Sequence, residues 1–400
     1  MCGHVRKLLN HQVDILSPQA VSALQAALGE MEQAIASGAD KAALEKQMEN
    51  LEGAANKWLK PYPNANWREN VEVLLVALTV AMGIRTFFLQ PFKIPTGSMQ
   101  PTLYGVTSIP DFSNINPMDE AAIQAARVKV EFSTGWTRVK EWFAGVSYVR
   151  VVAKADGELE RVDPAVGIPI FKFYQTLQIG GVTHWILFPP DYGGSTLERR
   201  AGLRRGISYK KGDEVVRMKV SAGDHLFVDR VSYNFRRPER GDIVVFGTYG
   251  IDRLPLEQQN TFYIKRLVGL GDETLALKQD YTLTGAPMFG TVPVGHLMIN
   301  GQPLSKTSRG FENLYSFYGA ARGSEVIAYK ENHYFGHGMI GALAPGSEFH
   351  ISPLSYFVMG DNTMNSSDSR YWGEFPQDRV IGKSFFVYWP ITERFGWGSR

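Results

Sequence analysis

Apolar positions change their period along the chain, and the changes divide it into three parts. Over residues 18–59 they recur at spacings of three and four: Val21, Leu24, Leu28, Met31 and Ile35, then Leu44, Met48, Leu51, Ala55 and Trp58. That spacing lays one apolar stripe along each of two helices. Ser37-Gly38-Ala39-Asp40 interrupts the pattern, with Asp40 placed to cap the second helix, and Pro61 and Pro63 end it. The pattern predicts a helical hairpin that serves packing or oligomerisation and carries no chemistry of its own.

From Val71 to Phe92 polar positions nearly vanish. The strictly uncharged core, Val73 to Ile84, is 12 residues long, short of the roughly 20 that a membrane-spanning helix needs. A buried core helix is therefore a rival reading. Arg85 near one end has a stem long enough to carry its charge to the headgroups. Phe87, Phe88 and Leu89 then restore apolar character and place aromatics at the interface. The segment predicts one transmembrane anchor over 67–92. Lys57, Lys60 and Arg68 precede it and Arg85 and Lys93 follow, a bias that sets residues 1–66 in the cytoplasm and residues 93–400 outside.

Beyond residue 92 short runs rich in Val, Ile, Phe and Tyr alternate with Gly, Pro and Asp. The clearest are Ser147–Lys154, Thr183–Phe188, His225–Val231, Asp242–Phe246, Phe262–Val268 and Ser384–Trp389. Ala155-Asp156-Gly157 turns the first of them. Without strand–helix alternation a parallel α/β sheet is excluded, and the expected class is mainly β.

Composition narrows the function classes. Over 400 residues the formal charge is +2, which leaves no basic field for nucleic acid. Cys2 is the only cysteine, so no intrachain disulfide exists. Residues 1–20 contain neither the apolar run nor the small-residue cleavage site of a secretory signal. His333 and His337 stand at i, i+4, but Gly336 and Gly338 beside them oppose a helix that would present both, and no metal or other cofactor is expected.

Four segments carry candidate chemistry. In Ile94-Pro95-Thr96-Gly97-Ser98-Met99-Gln100-Pro101-Thr102-Leu103 two prolines stiffen an extended stretch around a serine. Alone, Ser98 reads equally as a turn serine. Gly223–Asp229 with Arg240–Phe246 reads as two structural strands. In Tyr263-Ile264-Lys265-Arg266-Leu267-Val268-Gly269 alternation puts Tyr263, Lys265 and Leu267 on one face. Lys265 there is either an edge-strand gatekeeper or a buried amine. The fourth, Met359 to Gly373, is a loop dense in small polar groups, including Ser366, Asp368 and Arg370.

Taken in order, these segments closely resemble the boxes of type I signal (leader) peptidases, a Ser–Lys protease family. The likeness covers about 80 residues in four blocks. It implies a signal-peptidase-like antiparallel β catalytic domain with Ser98 as nucleophile and Lys265 as general base. It further implies that Ser366 orients the lysine, that Asp368 and Arg370 brace the loop, and that Thr96 joins the Ser98 N–H in an oxyanion hole. Ile94, Pro95, Met99 and Tyr263 fall where the family lines shallow pockets for small side chains. The implied partners are exported preproteins, the lipid bilayer and the secretion translocon. The chemistry is coherent: a lysine with a pKa of ~10.4 in water is no base at neutral pH, but burial disfavours its charged form. Trp389, Phe395 and Trp397 could form an interfacial aromatic patch or pack in a core.

Departures from the family accompany the likeness. Thr363 and Met364 stand where the family often has a charged pair, and the turn after Gly269 lacks the usual proline. Residues 105–220 form a large β-rich insertion, and the N-terminal hairpin has no counterpart in the boxes. Two other readings stay open: a LexA-like self-cleaving regulator, and an inactive membrane-tethered binding protein on the same scaffold. A Ser/His/Asp hydrolase using His225 and Asp224 is formally possible, but no nucleophile elbow surrounds Ser98.

Overall fold

The computed structural model describes residues 1–60, 65–113, 115, 130–168, 171–286, 290–316, 326–330 and 332–397. Pro61 and Pro63, and parts of the 105–220 insertion, lie outside the described residues. The chain forms two compact units, Met1–Met82 and Gly83–Arg400.

In the first unit the expected hairpin is α2 (Pro18–Ala36) and α3 (Lys41–Trp58), joined to a shorter α1 (Cys2–Gln12). Ser17 caps α2 by accepting from the Ala20 N–H at 3.2 Å, and Asp40 caps α3 by accepting from the Ala43 N–H at 2.9 Å. Leu24, Leu28, Met31 and Leu51 are buried with Val5 and Leu9 of α1. The stripe is narrower than its period suggests, because Ile35 and Met48 remain exposed. The Gln12 amide bonds both the N–H and the carbonyl of Lys60, tying α1 to the end of α3.

Helix α4 (Ala65–Phe87) contains the apolar segment. Its 21 residues from Trp67 to Phe87 are apolar enough to cross a membrane and none of that stretch is buried. At 1.5 Å per residue the stretch measures about 31 Å, close to the hydrocarbon thickness of a bilayer. A core helix would be covered by other elements, and among the described residues this one is not. The helix stops at Phe87, and Leu89–Lys93 is already a strand.

The second unit is built on an eight-stranded antiparallel sheet. Its order is Leu89–Lys93, His225–Asp229, Val380–Trp389, Ile243–Gly247, Phe262–Leu270, Ser355–Met359 and Phe375–Pro376, with Gly396–Trp397 on Val380–Trp389. Ile94, Met99, Leu103, Leu226, Val228, Ile243, Val245 and Val387 make one apolar cluster, which supports the Pro95–Leu103 segment from below. A second sheet contains the long hairpin Thr274–Ala286 and Gly290–Ile299. Register shifts at Gln279/Tyr281 and Thr284/Ala286 break its alternation.

The insertion is β-rich as expected. Glu214–Ser221 pairs with Thr107–Ile109 and Val146–Val152, and a further sheet is centred on Phe171–Ile179. Leu159, Leu177, Ile179, Val151 and Met218 give it a core of its own. One helix in this region, α5 (Gly135–Phe143), contains no buried residue.

Leu24 is fully buried in the helical unit. Leu24→Ala should cost about 2–5 kcal/mol of local stability. Hydrogen exchange should accelerate in residues 1–59 and stay unchanged in the Phe262–Leu270 strand.

Candidate active site

The serine sits on a turn whose apolar neighbours are sunk in the core. Met99 is 0 % exposed and Ile94 and Leu103 are likewise buried, so the segment is pinned on both sides of Ser98. Gln100 N–H donates to Gly97 O at 3.1 Å and Leu103 N–H to Met99 O at 3.0 Å, closing the turn. Ser98 itself is 7 % exposed. Its own N–H donates to no protein group among the described residues. Thr96 is exposed beside it.

The strand Phe262–Leu270 brings the lysine to this turn. Lys265 is 4 % exposed, and its Nζ lies 2.6 Å from Ser98 Oγ and 3.2 Å from Ile264 O. Tyr263, two positions back on the same face, places its ring centroid 5.2 Å from the amine. Burial pulls the Lys265 pKa down to about 8; Asp368 and Asp361 pull it up, Arg370 down, and burial wins.

Arg266 points the other way, as alternation requires, and serves the loop rather than the serine. Its Nε and terminal nitrogen grip both oxygens of Asp361 at 2.8 and 2.6 Å, and its other nitrogen donates to Gly241 O at 3.0 Å. Both side chains are buried. Thr102, on the far side of the serine turn, donates to Asp361 and also meets the Tyr334 hydroxyl. Asn362 completes the clamp: its N–H donates to Ser98 O at 3.1 Å and its side-chain amide to Gly97 O at 3.0 Å. Gly360 makes the close approach possible, since a Cβ there would lie 2.3 Å from Ser98 O and 2.2 Å from Ser366 Oγ.

Behind this clamp Asp368 and Arg370 form a pair with no exposed side-chain surface, at 2.7 and 2.8 Å. Arg370 also donates to Gly338 O, Thr363 O and Thr363 Oγ1, while Asp368 accepts from the Gly360 N–H at 3.0 Å. Burial alone would raise the Asp368 carboxyl. Arg370, with the Gly360 N–H and the Ser366 hydroxyl, overcomes it and holds the group below the usual carboxylate range. Ser366 is buried close to Asp368 but forms no well-aligned hydrogen bond to a protein group among the described residues. It lines a cleft of about 360 Å³ with Leu254, Pro255, Met364, Tyr371 and Trp372.

The structure thus brings together Ser98, Lys265, Ser366, Asp368 and Arg370. Ile94 and Met99 lie under the serine turn, Pro95 is exposed beside it, and Tyr263 is half-buried with its hydroxyl donating to Gln258 at 2.7 Å. Asp224 is committed elsewhere, to Arg394 and the Tyr104 N–H, and forms no hydrogen bond to His225 among the described residues. Sequence reasoning gives Asp361, Asn362 and Thr102 no role. The first two stand in Gly360-Asp361-Asn362 and Thr102 in the serine segment, but the partners of that motif lie up to 265 positions away.

The chain is similar to known proteins. Residues 67–113 and 214–389 match the family model for signal peptidase, peptidase S26. A signal peptidase I from Leptolyngbya laminosa is 28% identical over 173 residues, 43% of this chain and 64% of that protein. A probable signal peptidase I-2 of Synechocystis is 27% identical over 172 residues, 43% and 58% of the two chains. The signal peptidase I of Pseudomonas aeruginosa is 26% identical over 268 residues, 60% and 82%. The match to the first two thus spans less than two thirds of their length. A solved signal peptidase I from Enterococcus faecalis is 25% identical, with a TM-score of 0.24, over 37% of this chain and 97% of that one. With more than half of its residues matched by that family model, in the two stretches that hold Ser98 and Lys265, the chain belongs to the signal peptidase S26 family.

Proposed function

We propose that the protein is a membrane-anchored serine endopeptidase that removes signal peptides from exported preproteins after small residues of the Ala-x-Ala kind. The observation that carries this reading is the 2.6 Å approach of the buried Lys265 amine to Ser98 Oγ. A neutral amine at that distance accepts the hydroxyl proton as Oγ attacks the scissile carbonyl. The oxyanion that forms accepts from the unpartnered Ser98 N–H, with the Thr96 hydroxyl as a second donor. The ammonium then gives its proton to the leaving amine, the C–N bond breaks, and an acyl-enzyme remains. Lys265, neutral again, deprotonates a water that releases the signal peptide carboxylate and restores Ser98.

Substrate has an obvious seat. Among the described residues the Phe262–Lys265 half of its strand pairs with Val244–Gly247 alone, because Ser355–Met359 joins the other edge from Arg266 onward. An extended segment adds to that open edge by main-chain hydrogen bonds. Ile94, Pro95, Met99 and Tyr263 then leave room for small side chains next to Ser98. Ser366 orients the lysine, and Asp368 and Arg370, paired with each other, brace its loop.

In this reading α4 is the anchor, residues 1–66 are cytoplasmic, and residues 93–400 form the catalytic domain on the outer face of the membrane. Ser98 follows the helix end at Phe87 by 11 positions, five of them in the Leu89–Lys93 strand. The nucleophile is therefore held near the bilayer surface, where a signal peptide leaves its cleavage site. Exported preproteins, the bilayer and the secretion translocon are the partners.

Detergent-solubilised protein should release the mature product from a preprotein with an Ala-x-Ala site. Ser98→Ala and Lys265→Met should each lose roughly 10³-fold or more in rate. Lys265→Met should melt no lower than wild type, because it removes an amine that burial disfavours; retained cleavage in it would end the dyad assignment.

Only the free base serves, so kcat/KM should rise tenfold per pH unit below about 8 and level off above it. A profile flat from pH 6 to 9 would exclude Lys265 as the base.

Arg266→Leu strands the buried Asp361 carboxylate and should cost about 3–5 kcal/mol in denaturant unfolding. Adding Asp361→Leu should recover most of the stability. Activity should stay low in the double variant, since Thr102 loses its acceptor.

A further inference from the structure

Helix α5 is amphipathic, and it is turned inside out. At 100° per residue Trp136, Val139, Trp142 and Phe143 share one face. In an ordinary surface helix that face would be buried. Here Trp136 is 72% exposed, Trp142 58%, Phe143 47% and Val139 40%.

The polar face is the one turned to the protein. Glu141 accepts from the Tyr148 hydroxyl at 2.6 Å and from Lys219 at 2.9 Å, and the Tyr148 bond, followed by Lys219, holds its carboxyl below the usual range. The Arg138 guanidinium lies 5.4 Å from the Tyr148 ring centroid. Lys140 and Arg138 flank the apolar arc, one on either side. The helix therefore offers a Trp-rich stripe between two cations, while its only acid is withdrawn toward the body.

The apolar surface does not stop at the helix. Trp142 packs on Trp389 at 5.6 Å between ring centroids, and Phe143 O accepts from the Ile391 N–H at 3.0 Å. Ile391, Phe395 and Trp397 are exposed near that end of the chain, Phe395 and Trp397 both against Phe386.

We propose that α5 is a second membrane contact, lying in the outer-leaflet interface with Trp136, Val139, Trp142 and Phe143 among the lipids. Tryptophan suits that layer, where its ring is half apolar and half polar. The flanking Lys140 and Arg138 suit anionic headgroups. The helix falls outside the residues matched by the family model, so this contact belongs to the insertion. Through it the insertion fixes the tilt of the catalytic domain against the bilayer. The inference rests on α4 spanning the membrane, and the experiment separates the two.

In a Cys2→Ser background, the full-length chain with Trp136→Cys is labelled with an environment-sensitive dye. It is reconstituted in phosphatidylethanolamine–phosphatidylglycerol vesicles. Leu78→Cys on α4 and Asp252→Cys on an exposed loop serve as controls. Position 136 should emit to the blue of position 252, lose most of its iodide quenching, and be quenched by shallow but not deep spin-labelled lipid. Position 78 should be quenched by the deep label. If 136 behaves like 252 while 78 lies in lipid, α5 does not contact the membrane and the proposal falls alone. If 78 is also in water, the anchor reading falls with it. Efficient disulfide cross-linking between copies of the unlabelled Trp136→Cys variant would replace lipid with a second copy and likewise overturn the proposal. Trp136→Ser with Val139→Asp should raise KM for vesicle-bound preprotein several-fold and leave cleavage of a soluble peptide unchanged; an equal loss on both substrates would also overturn it.

Discussion

An amine taken out of water either finds a counter-charge or gives up its proton, and the site depends on Lys265 having been denied the first option. Two carboxylates stand near enough to feel it, yet each is already taken. Asp361 is gripped by Arg266, and Asp368 by Arg370. The guanidinium groups, which cannot deprotonate in proteins, absorb the negative charge that would otherwise stabilise an ammonium. What remains for Lys265 is the hydroxyl of Ser98 and, at longer range, the Ile264 carbonyl.

The same two ion pairs also set the geometry. Asp361 and its neighbours Gly360 and Asn362 reach the serine turn directly, through Thr102, Ser98 O and Gly97 O. Asp368 holds the Gly360 N–H from the other side. Electrostatic isolation of the lysine and mechanical fixation of the serine are therefore one construction. Replacing a single arginine would disturb both the charge state of the Lys265 amine and the position of the Ser98 hydroxyl it meets.

Much of this is legible in the chain, for reasons that can be named. Period-two alternation by itself puts Lys265 and Arg266 on opposite faces, and the order of the boxes joins Ser98 to Lys265. The partner of Arg266 cannot be read, because local patterning says nothing of a contact 95 positions away. Ile94 and Met99 do lie beside the serine as expected, but whether they line a surface or underlie it depends on packing. Helix α1 is invisible to the pattern because its stripe is only Val5 and Leu9. The Thr274–Ile299 hairpin is hidden because bulges interrupt its alternation, and the 12 uncharged residues of the apolar segment understate a helix that continues to both sides.

The pairing of Thr107 with Ser221 has an architectural consequence. Antiparallel partners in a sheet stand about 5 Å apart, so the chain leaves the eight-stranded scaffold and returns to it through one doorway. Arg200 fastens that doorway from within by donating to Val106 O, Ser108 Oγ and Asp111. Everything between is topologically a cassette: a tight turn of a few residues would bridge the same gap, and another β module with closely spaced ends could be grafted in its place. The scaffold can thus gain or exchange such an attachment without rethreading a single strand of the sheet that carries Ser98 and Lys265.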